Sequence, residues 1–218
     1  MKLNRRSRVK RLVLMAMLSA VAYIIVSLIR IPVVLFLQYE PKDVVITIGG
    51  FLLGPMASFL ISLTVSLIEM VTISDTGPIG ALMNLLSTCS FACTAALIYK
   101  RRHNLKGAIL GLLAGTGTMV ILMLLWNWLV TPWYMGQPRD AVEALLLPAF
   151  LPFNLLKGGL NTSFTLILYK PLVTALRKTG LVETYSPQKG KPQIGIYLLG
   201  FGLLITCILL LLILRDII

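Results

Sequence analysis

The stretch LLLPAFLPFNLLKGGLNTSFTLIL, residues Leu145 to Leu168, is long and apolar enough to cross a bilayer, yet it contains one lysine and two asparagines. A charge near the centre of a membrane helix costs roughly 2.5–3.5 kcal/mol, so a lysine kept there faces a protein interior or a water-filled cavity. On a helix, Asn154, Lys157, Gly158 and Asn161 share one face. That face either binds a polar small molecule or lets Lys157 satisfy neighbouring helix carbonyls and hold the bundle together.

The composition of the whole chain is that of an integral membrane protein. Of its 218 residues, 57% are hydrophobic and 13% are charged. Apolar runs repeatedly reach the about 20 residues that a bilayer helix needs, which predicts an all-α membrane fold with one helical domain. The net charge of +12 comes from clusters between these runs. It therefore indicates topology and does not indicate nucleic-acid binding.

Seven membrane spans are predicted from the apolar runs. They are Leu12–Ile29, Val44–Leu53, Met56–Ile73, Ile79–Tyr99, Gly107–Val130, Leu145–Leu168 and Ile194–Leu214. The second is short for a crossing unless it borrows from the connection before it. Small residues recur at every fourth position of two spans and predict close helix packing. These ridges are Ser58, Ser62 and Ser66 on the third span and Gly107, Gly111 and Gly115 on the fifth.

The basic residues predict the orientation. Fifteen of the 20 lie in the N-terminus, in residues 100–106 and in residues 170–191. Because cytoplasmic loops carry the excess of Lys and Arg, we expect a multi-pass cell-membrane protein with a cytoplasmic N-terminus and an outside C-terminus. Trp126, Trp128, Trp133 and Tyr134 form an aromatic belt of the kind found at a membrane interface.

The sequence offers little for catalysis. No Gly-rich phosphate loop followed by Lys-Ser or Lys-Thr is present, so ATP can drive this chain only through a partner. The single histidine, His103, lies in a basic connection and is interpreted as a solvated residue. Cys89 and Cys93 are four residues apart, unlike the spacing of zinc or redox motifs, and are interpreted as structural. We expect no enzyme, no catalytic residue, no metal and no cofactor.

Polar residues predicted in the outer half of the membrane form the candidate binding site. They are Asn84, Asn127, Asn154 and Lys157. Amides donate and accept hydrogen bonds, and an ammonium only donates, so the set suits a flat heterocycle rich in carbonyls and ring nitrogens. Asn127, between two tryptophans, can instead be an ordinary interfacial residue. Glu69, near the outer end of its span, is expected at the interface or, alternatively, paired with Lys157.

Several motifs resemble the riboflavin-binding S components, the substrate-specific subunits of energy-coupling factor (ECF) vitamin transporters. They are LQYEPKD (37–43), GGFLLGP (49–55), GPIGALMN (77–84), LLWNWL (124–129) and LPFNLLKGG (151–159). Ala16 and Ala20 are similar to the alanine motif that docks these subunits on their transmembrane coupling protein. The resemblance covers roughly residues 11–176, and the FNxxK element in an apolar helix is its most specific part.

The resemblance implies a six-helix subunit that binds riboflavin from outside and has no ATPase activity. A coupling protein and two ATP-binding subunits would complete the transporter, and the subunit would topple in the membrane to release its cargo. Asn127, Asn154 and Lys157 would hydrogen-bond the ring, and the segment from Gln38 to Asp43 would gate the pocket. With Asn84 added for its position and chemistry, the expected substrate-binding residues are Asn127, Asn154, Lys157, Asn84, Tyr39, Glu40 and Asp43.

The C-terminal part departs from the family because it adds a seventh span. We expect a basic N-terminus (1–11), a six-helix substrate-binding domain (12–176), a basic cytoplasmic linker (177–193) and the additional transmembrane helix (194–214). Alternatives are an S component for another vitamin or heterocycle and an autonomous secondary carrier. A carrier needs ionisable residues deep in several spans, and the sequence indicates essentially one. A lipid-acting membrane enzyme lacks a cluster of histidine, acid and nucleophile.

Overall fold

The computed structural model describes residues 5–74, 76–178 and 194–217. The helices in these ranges are α1 (Arg5–Leu28), α2 (Lys42–Leu53), α3 (Pro55–Thr72), α4 (Gly77–Arg101), α5 (Leu105–Leu129), α6 (Thr131–Met135), α7 (Arg139–Leu145), α8 (Leu151–Lys178) and α9 (Ile194–Ile217). The predicted helical membrane bundle with an additional C-terminal helix is confirmed. Most of the linker expected at 177–193 lies outside the described residues.

The lengths of the helices agree with a membrane protein. Helices α1, α3, α4, α5 and the continuous segment ending in α8 are long and apolar enough to span a bilayer. Helix α2 has only 12 residues, and Lys42 to Phe51 are all buried. It packs against α1, α3, α4 and α8, so protein, and not lipid, surrounds it. The second predicted span is therefore a short, protein-enclosed helix, which removes the need for a full crossing length.

The connection between α1 and α2 is a β-hairpin, which the all-helical expectation missed. Strand β1 (Ile31–Val34) pairs antiparallel with β2 (Leu37–Tyr39). Leu35 adopts a φ of 51° in the turn, a left-handed conformation that is uncommon for a residue other than glycine. Apolar side chains of both strands pack on Phe150 and Phe153. The apolar residues of this connection therefore cover a protein surface.

Two hydrogen bonds show how the helix ends are arranged. Arg11 Nη2 donates to the carbonyl of Leu53 over 2.7 Å, which places the start of α1 beside the end of α2. Arg30 Nη1 donates to the carbonyl of Ile73 over 2.8 Å, beside the end of α3. The hairpin, the α3–α4 turn and the α5–α8 connection therefore share one end of the bundle. The described basic residues of the N-terminus and of residues 100–106 lie at the other end.

The predicted sixth span is not one regular helix. Helix α7 is followed by a π-helical segment, Leu146–Phe150, and α8 then runs from Leu151 through Pro171 to Lys178. Pro148 and Pro152 lack the backbone N–H that a regular helix needs, which accounts for the widened turn. Asn154 Nδ2 donates to the carbonyl of Phe150 over 2.7 Å and supports this segment.

The glycine ridge on α5 forms a close helix contact, as predicted, and the structure shows that its partner is α4. A Cβ atom added at Gly111 would lie 2.7 Å from the carbonyl oxygen of Ala95, and one at Gly115 would lie 2.6 Å from that of Phe91. The serine ridge on α3 is buried too, and Ser58 Oγ donates to the carbonyl of Ile46 on α2. Both ridges therefore mark close helix contacts within the chain.

Helix α9 packs antiparallel along α8. A Cβ at Gly159 would lie 2.6 Å from Cys207 Sγ, and one at Gly200 would lie 2.9 Å from Ile167. Cys207 also belongs to the apolar cluster that contains β1 and β2. The second half of α9 therefore lies near the hairpin, at the end of the bundle that carries the α5–α8 connection.

The ridge on α5 gives a matched pair of substitutions. Gly115→Ala should destabilise the protein by about 1–3 kcal/mol, because its methyl group would overlap the Phe91 carbonyl on α4. Gly117→Ala, where an added Cβ meets open space, should be neutral or stabilise the helix by up to about 1 kcal/mol. Thermal unfolding of the detergent-purified variants measures both. Equal effects would contradict the close approach of α4 and α5.

Candidate functional site

A cleft of about 230 Å³ opens at the hairpin end of the bundle, between the hairpin, α4, α5 and α8. Its polar lining residues are Arg30, Gln38, Glu40, Ser74, Thr76, Asn84, Ser87, Asn127, Asn154 and Lys157. Its remaining walls are aromatic and apolar: Phe36, Leu37, Met83, Met123, Tyr134 and Phe153. A few convergent polar groups among apolar walls are typical of small-molecule sites.

The two amides Asn127 and Asn154 are fixed by their own helices. Asn127 Nδ2 donates to the carbonyl of Met123 over 2.7 Å, and its Oδ1 accepts from Thr131 over 2.8 Å. One N–H of the Asn154 amide donates to the carbonyl of Phe150, as described above, whereas its Oδ1 accepts no hydrogen bond from the described residues. Asn154 therefore presents an acceptor to the cleft.

Lys157 has a protein partner. Its Nζ lies 3.3 Å from Asp43 Oδ2 and donates to Ser87 Oγ over 3.1 Å. The side chain of Lys157 is 5% exposed and that of Asp43 is 0% exposed, so this is a buried ion pair. Asp43, in the first turn of α2, therefore compensates the charge of Lys157, which the sequence predicts within the membrane.

Asp43 is held by two further donors behind the cleft. Thr88 Oγ1 donates to its Oδ1 over 2.7 Å, and Asn161 Nδ2 donates to its Oδ2 over 3.2 Å. Asn161 Oδ1 in turn accepts from the Tyr39 hydroxyl over 3.2 Å. Burial, and next the negative charge of Asp43, raise the pKa of Tyr39 well above its usual range. The phenol of Tyr39 therefore stays protonated and keeps this donor.

A second group of charges ties the hairpin to the helices. Lys42 Nζ lies 2.6 Å from Glu40 Oε2 and 2.6 Å from Glu69 Oε1. Arg30 Nε lies 3.6 Å from Glu40 Oε1. Glu69 is 2% exposed and accepts a hydrogen bond from Lys42, so the alternative that it pairs with Lys157 is wrong, and its place at the membrane interface stays a prediction. Lys42, at the start of α2, is the nearer cation and takes that place.

The structure brings most of the expected substrate-binding residues to one place. Asn84, Asn127, Asn154, Lys157 and Glu40 line the cleft. Two others, Tyr39 and Asp43, lie behind its wall and hold Asn161 and Lys157.

Four polar residues of the cleft are not among the residues predicted for the site: Arg30, Ser74, Thr76 and Ser87. The sequence carries no signal for the three hydroxyl residues, because serine and threonine are common in apolar helices and in turns. Arg30 is recognisable in the sequence only as a basic residue outside the basic clusters.

The arrangement is suited to binding. Within residues 5–74, 76–178 and 194–217, no group of three or more His, Cys, Asp or Glu side chains is placed to hold a metal ion. The cleft offers N–H donors, the free amide oxygen of Asn154 and aromatic rings. Together these groups can hold a flat, polar heterocycle by hydrogen bonds at its edge and apolar contact on its faces.

The two alanines expected to dock the coupling protein lie on α1, away from the cleft. Ala16 and Ala20 are both exposed in the described part of the chain. Since α9 packs on α8, the additional helix does not cover them. A partner helix can therefore approach this face of α1.

The chain is similar to known transport proteins in sequence and in fold. The family model of the ECF transporter, substrate-specific component, matches residues 10–169. The chain is 29% identical over 186 residues to the riboflavin transporter RibU of Staphylococcus aureus (strain TCH60), covering 81% of this chain and 97% of that protein. It is 28% identical over 176 residues to the riboflavin transporter FmnP of Bacillus subtilis (strain 168), covering 75% and 92%.

The fold comparison agrees with the sequence comparison. The solved S component of a bacterial ECF transporter superposes with a TM-score of 0.68 at 29% identity, covering 78% of this chain and 99% of that one. These relatives are transporters, which confirms that the chain is not an enzyme, and the apolar helices confirm a multi-pass membrane protein. The family match spans more than half of the chain, and the protein therefore belongs to the substrate-specific components of ECF transporters.

Proposed function

We propose that the protein captures riboflavin at the outer face of the cell membrane and delivers it inward when ATP-binding partner subunits drive the cycle. The observation that carries this proposal is the cleft, where Asn154 and Lys157 converge with aromatic walls. The relatives named riboflavin transporters support riboflavin as the ligand.

In the proposed complex, the ring system lies between the apolar walls of the cleft. Asn154 Oδ1 accepts from the ring N–H, and Lys157 and Asn127 hydrogen-bond ring carbonyls or nitrogens. The cleft of about 230 Å³ is smaller than the roughly 300–1,000 Å³ of most small-molecule pockets. The hairpin, which supplies Phe36, Gln38 and Glu40, is the element that would move to admit the ligand.

The proposed orientation places the cleft outside. The described basic residues of the N-terminus and of residues 100–106 lie at the opposite end of the bundle, which the positive-inside rule assigns to the cytoplasm. The C-terminus, beyond α9, would then be outside. We propose that Ala16 and Ala20 contact a transmembrane coupling protein, which works with two ATP-binding subunits.

An autonomous secondary carrier is the competing function. The sequence indicated essentially one deep ionisable residue, whereas the structure buries Lys42, Asp43 and Glu69 as well as Lys157. All four lie toward the hairpin end and are ion-paired, so they do not form a path across the bilayer. Proteoliposomes that contain this chain and no ATPase should therefore take up no riboflavin.

Binding of riboflavin can be observed directly, because the ligand is coloured and fluorescent. The purified protein should carry a yellow flavin or, when emptied, quench riboflavin fluorescence at submicromolar concentration, because the cleft pairs polar edges with apolar faces. Other vitamins, added as a panel, should not displace riboflavin from the protein. Colourless protein that leaves riboflavin fluorescence unchanged would argue against the proposal, and competition by another heterocycle would reassign the cargo within the family.

The free acceptor of Asn154 can be tested by substitution. Asn154→Leu removes the free acceptor and leaves a ligand N–H without a partner, which should weaken riboflavin binding by about 1–3 kcal/mol, roughly 5- to 140-fold. Gln137→Leu, which removes an exposed amide from the outer connection, is the control and should bind normally. Fluorescence titration measures both. Unchanged affinity in the Asn154 variant would remove this residue from the site.

Docking at Ala16 and Ala20 can be tested separately from ligand binding in the cleft. Replacing Ala16 or Ala20 with tryptophan should abolish uptake by the assembled transporter and spare riboflavin binding, because a bulky side chain keeps the partner helix away. Gly117→Trp is the control, since Gly117 is exposed on α5 and an added Cβ there meets open space. Persistent co-purification of the coupling protein with both alanine variants would show that the docking surface lies elsewhere.

A further inference from the structure

We infer that Asp43 is a positioning residue for ligand binding that acts through Lys157. In this role it holds the ammonium so that one N–H is directed into the cleft, toward a carbonyl oxygen or ring nitrogen of the ligand. The inference rests on the proposed function and deepens it. It gives Asp43 a role other than direct contact, since Asp43 is fully buried and lies outside the cleft lining.

The first step is that the carboxylate itself cannot turn freely. Its Oδ1 accepts from Thr88 over 2.7 Å, and its Oδ2 accepts from Asn161 over 3.2 Å and faces Lys157 at 3.3 Å. These partners come from α4 and α8, while Asp43 belongs to the first turn of α2. Three helices therefore fix the direction in which the negative charge faces.

The second step concerns the ammonium. Lys157 has three N–H donors. One is given to Ser87, and the charge of the ammonium faces Asp43 Oδ2 at 3.3 Å as an ion pair. The described residues accept no further hydrogen bond from Lys157. Because Asp43 and Ser87 are carried by two different helices and Lys157 and Ser87 both line the cleft, these two partners hold the ammonium at the cleft wall, where a remaining N–H is available to the ligand.

Asp43 also keeps Lys157 from pairing with a different carboxylate, that of Glu40. Glu40 also lines the cleft and already pairs with Arg30 and Lys42. If Asp43 lost its charge, the carboxylate available to Lys157 within the cleft would be Glu40, and we expect the ammonium to turn toward it. The ammonium would then occupy part of the cleft with its donors directed away from the ligand.

The test is a double-substitution cycle on the full-length, detergent-purified protein. The variants are Asp43→Asn, Lys157→Met and the two combined, and riboflavin fluorescence quenching measures affinity. We expect Asp43→Asn to weaken binding at least tenfold when Lys157 is present, and by less than twofold in the Lys157→Met background. Asp140→Asn, which neutralises an exposed carboxylate on α7, is the control and should leave affinity unchanged.

Thermal unfolding without ligand is read in parallel, because a merely structural role would show there. Each single substitution leaves one buried charge unpaired, so both should be less stable than the combined variant. The combined variant should regain stability without regaining riboflavin affinity.

If Asp43→Asn does not fold, Thr88→Val replaces it. This substitution removes one hydrogen bond to Asp43 from a residue outside the cleft lining. It should weaken binding severalfold, again only when Lys157 is present.

The outcomes distinguish the two proposals. If the unsubstituted chain does not bind riboflavin, the proposed function fails, and the role toward the ligand fails with it. If the chain binds riboflavin but Asp43→Asn leaves affinity unchanged, or weakens it by the same factor with and without Lys157, only the positioning role is overturned.

Discussion

The structure depends on the pairing of charges that are withdrawn from water. An isolated ion in the low-dielectric interior of a membrane protein is strongly unfavourable, and removing one member of a buried pair typically costs about 3–5 kcal/mol. Lys157 on α8 meets Asp43, and Lys42 meets Glu69 on α3. Both pairs use the first two residues of α2, so they fix the position of this helix between its neighbours.

This constraint explains why so short a helix is stable in the bundle. Helix α2 begins with two buried charged residues and is enclosed by α1, α3, α4 and α8. Its start is placed at the level of the cleft, and the hairpin immediately before it is tied to the same charges through Glu40. Asp43, which lies behind the wall of the cleft, and the hairpin, which covers the cleft, are therefore only a few residues apart in sequence.

Helix α9 is added without disturbing this arrangement. It lies beyond the residues matched by the family model and packs on α8 through Gly159 and Gly200. Its second half lies near the hairpin, where Cys207 joins the apolar cluster. The exposed face of α1 that carries Ala16 and Ala20 is left open. The candidate binding cleft and the candidate docking face thus occupy separate parts of the bundle, and no described residue of α9 lines the cleft.

The sequence by itself determined the membrane class, the succession of long helices and the positions of the close-packing ridges, because bilayer thickness and small-residue spacing are local properties of the chain. It also marked Asn127, Asn154 and Lys157 as polar residues in apolar surroundings. Only the tertiary structure decided which charges meet. Asp43 and Lys157 are far apart in sequence, and so are Lys42 and Glu69. Their pairing, like the hairpin that packs on Phe150 and Phe153, depends on contacts between distant segments that no local pattern encodes.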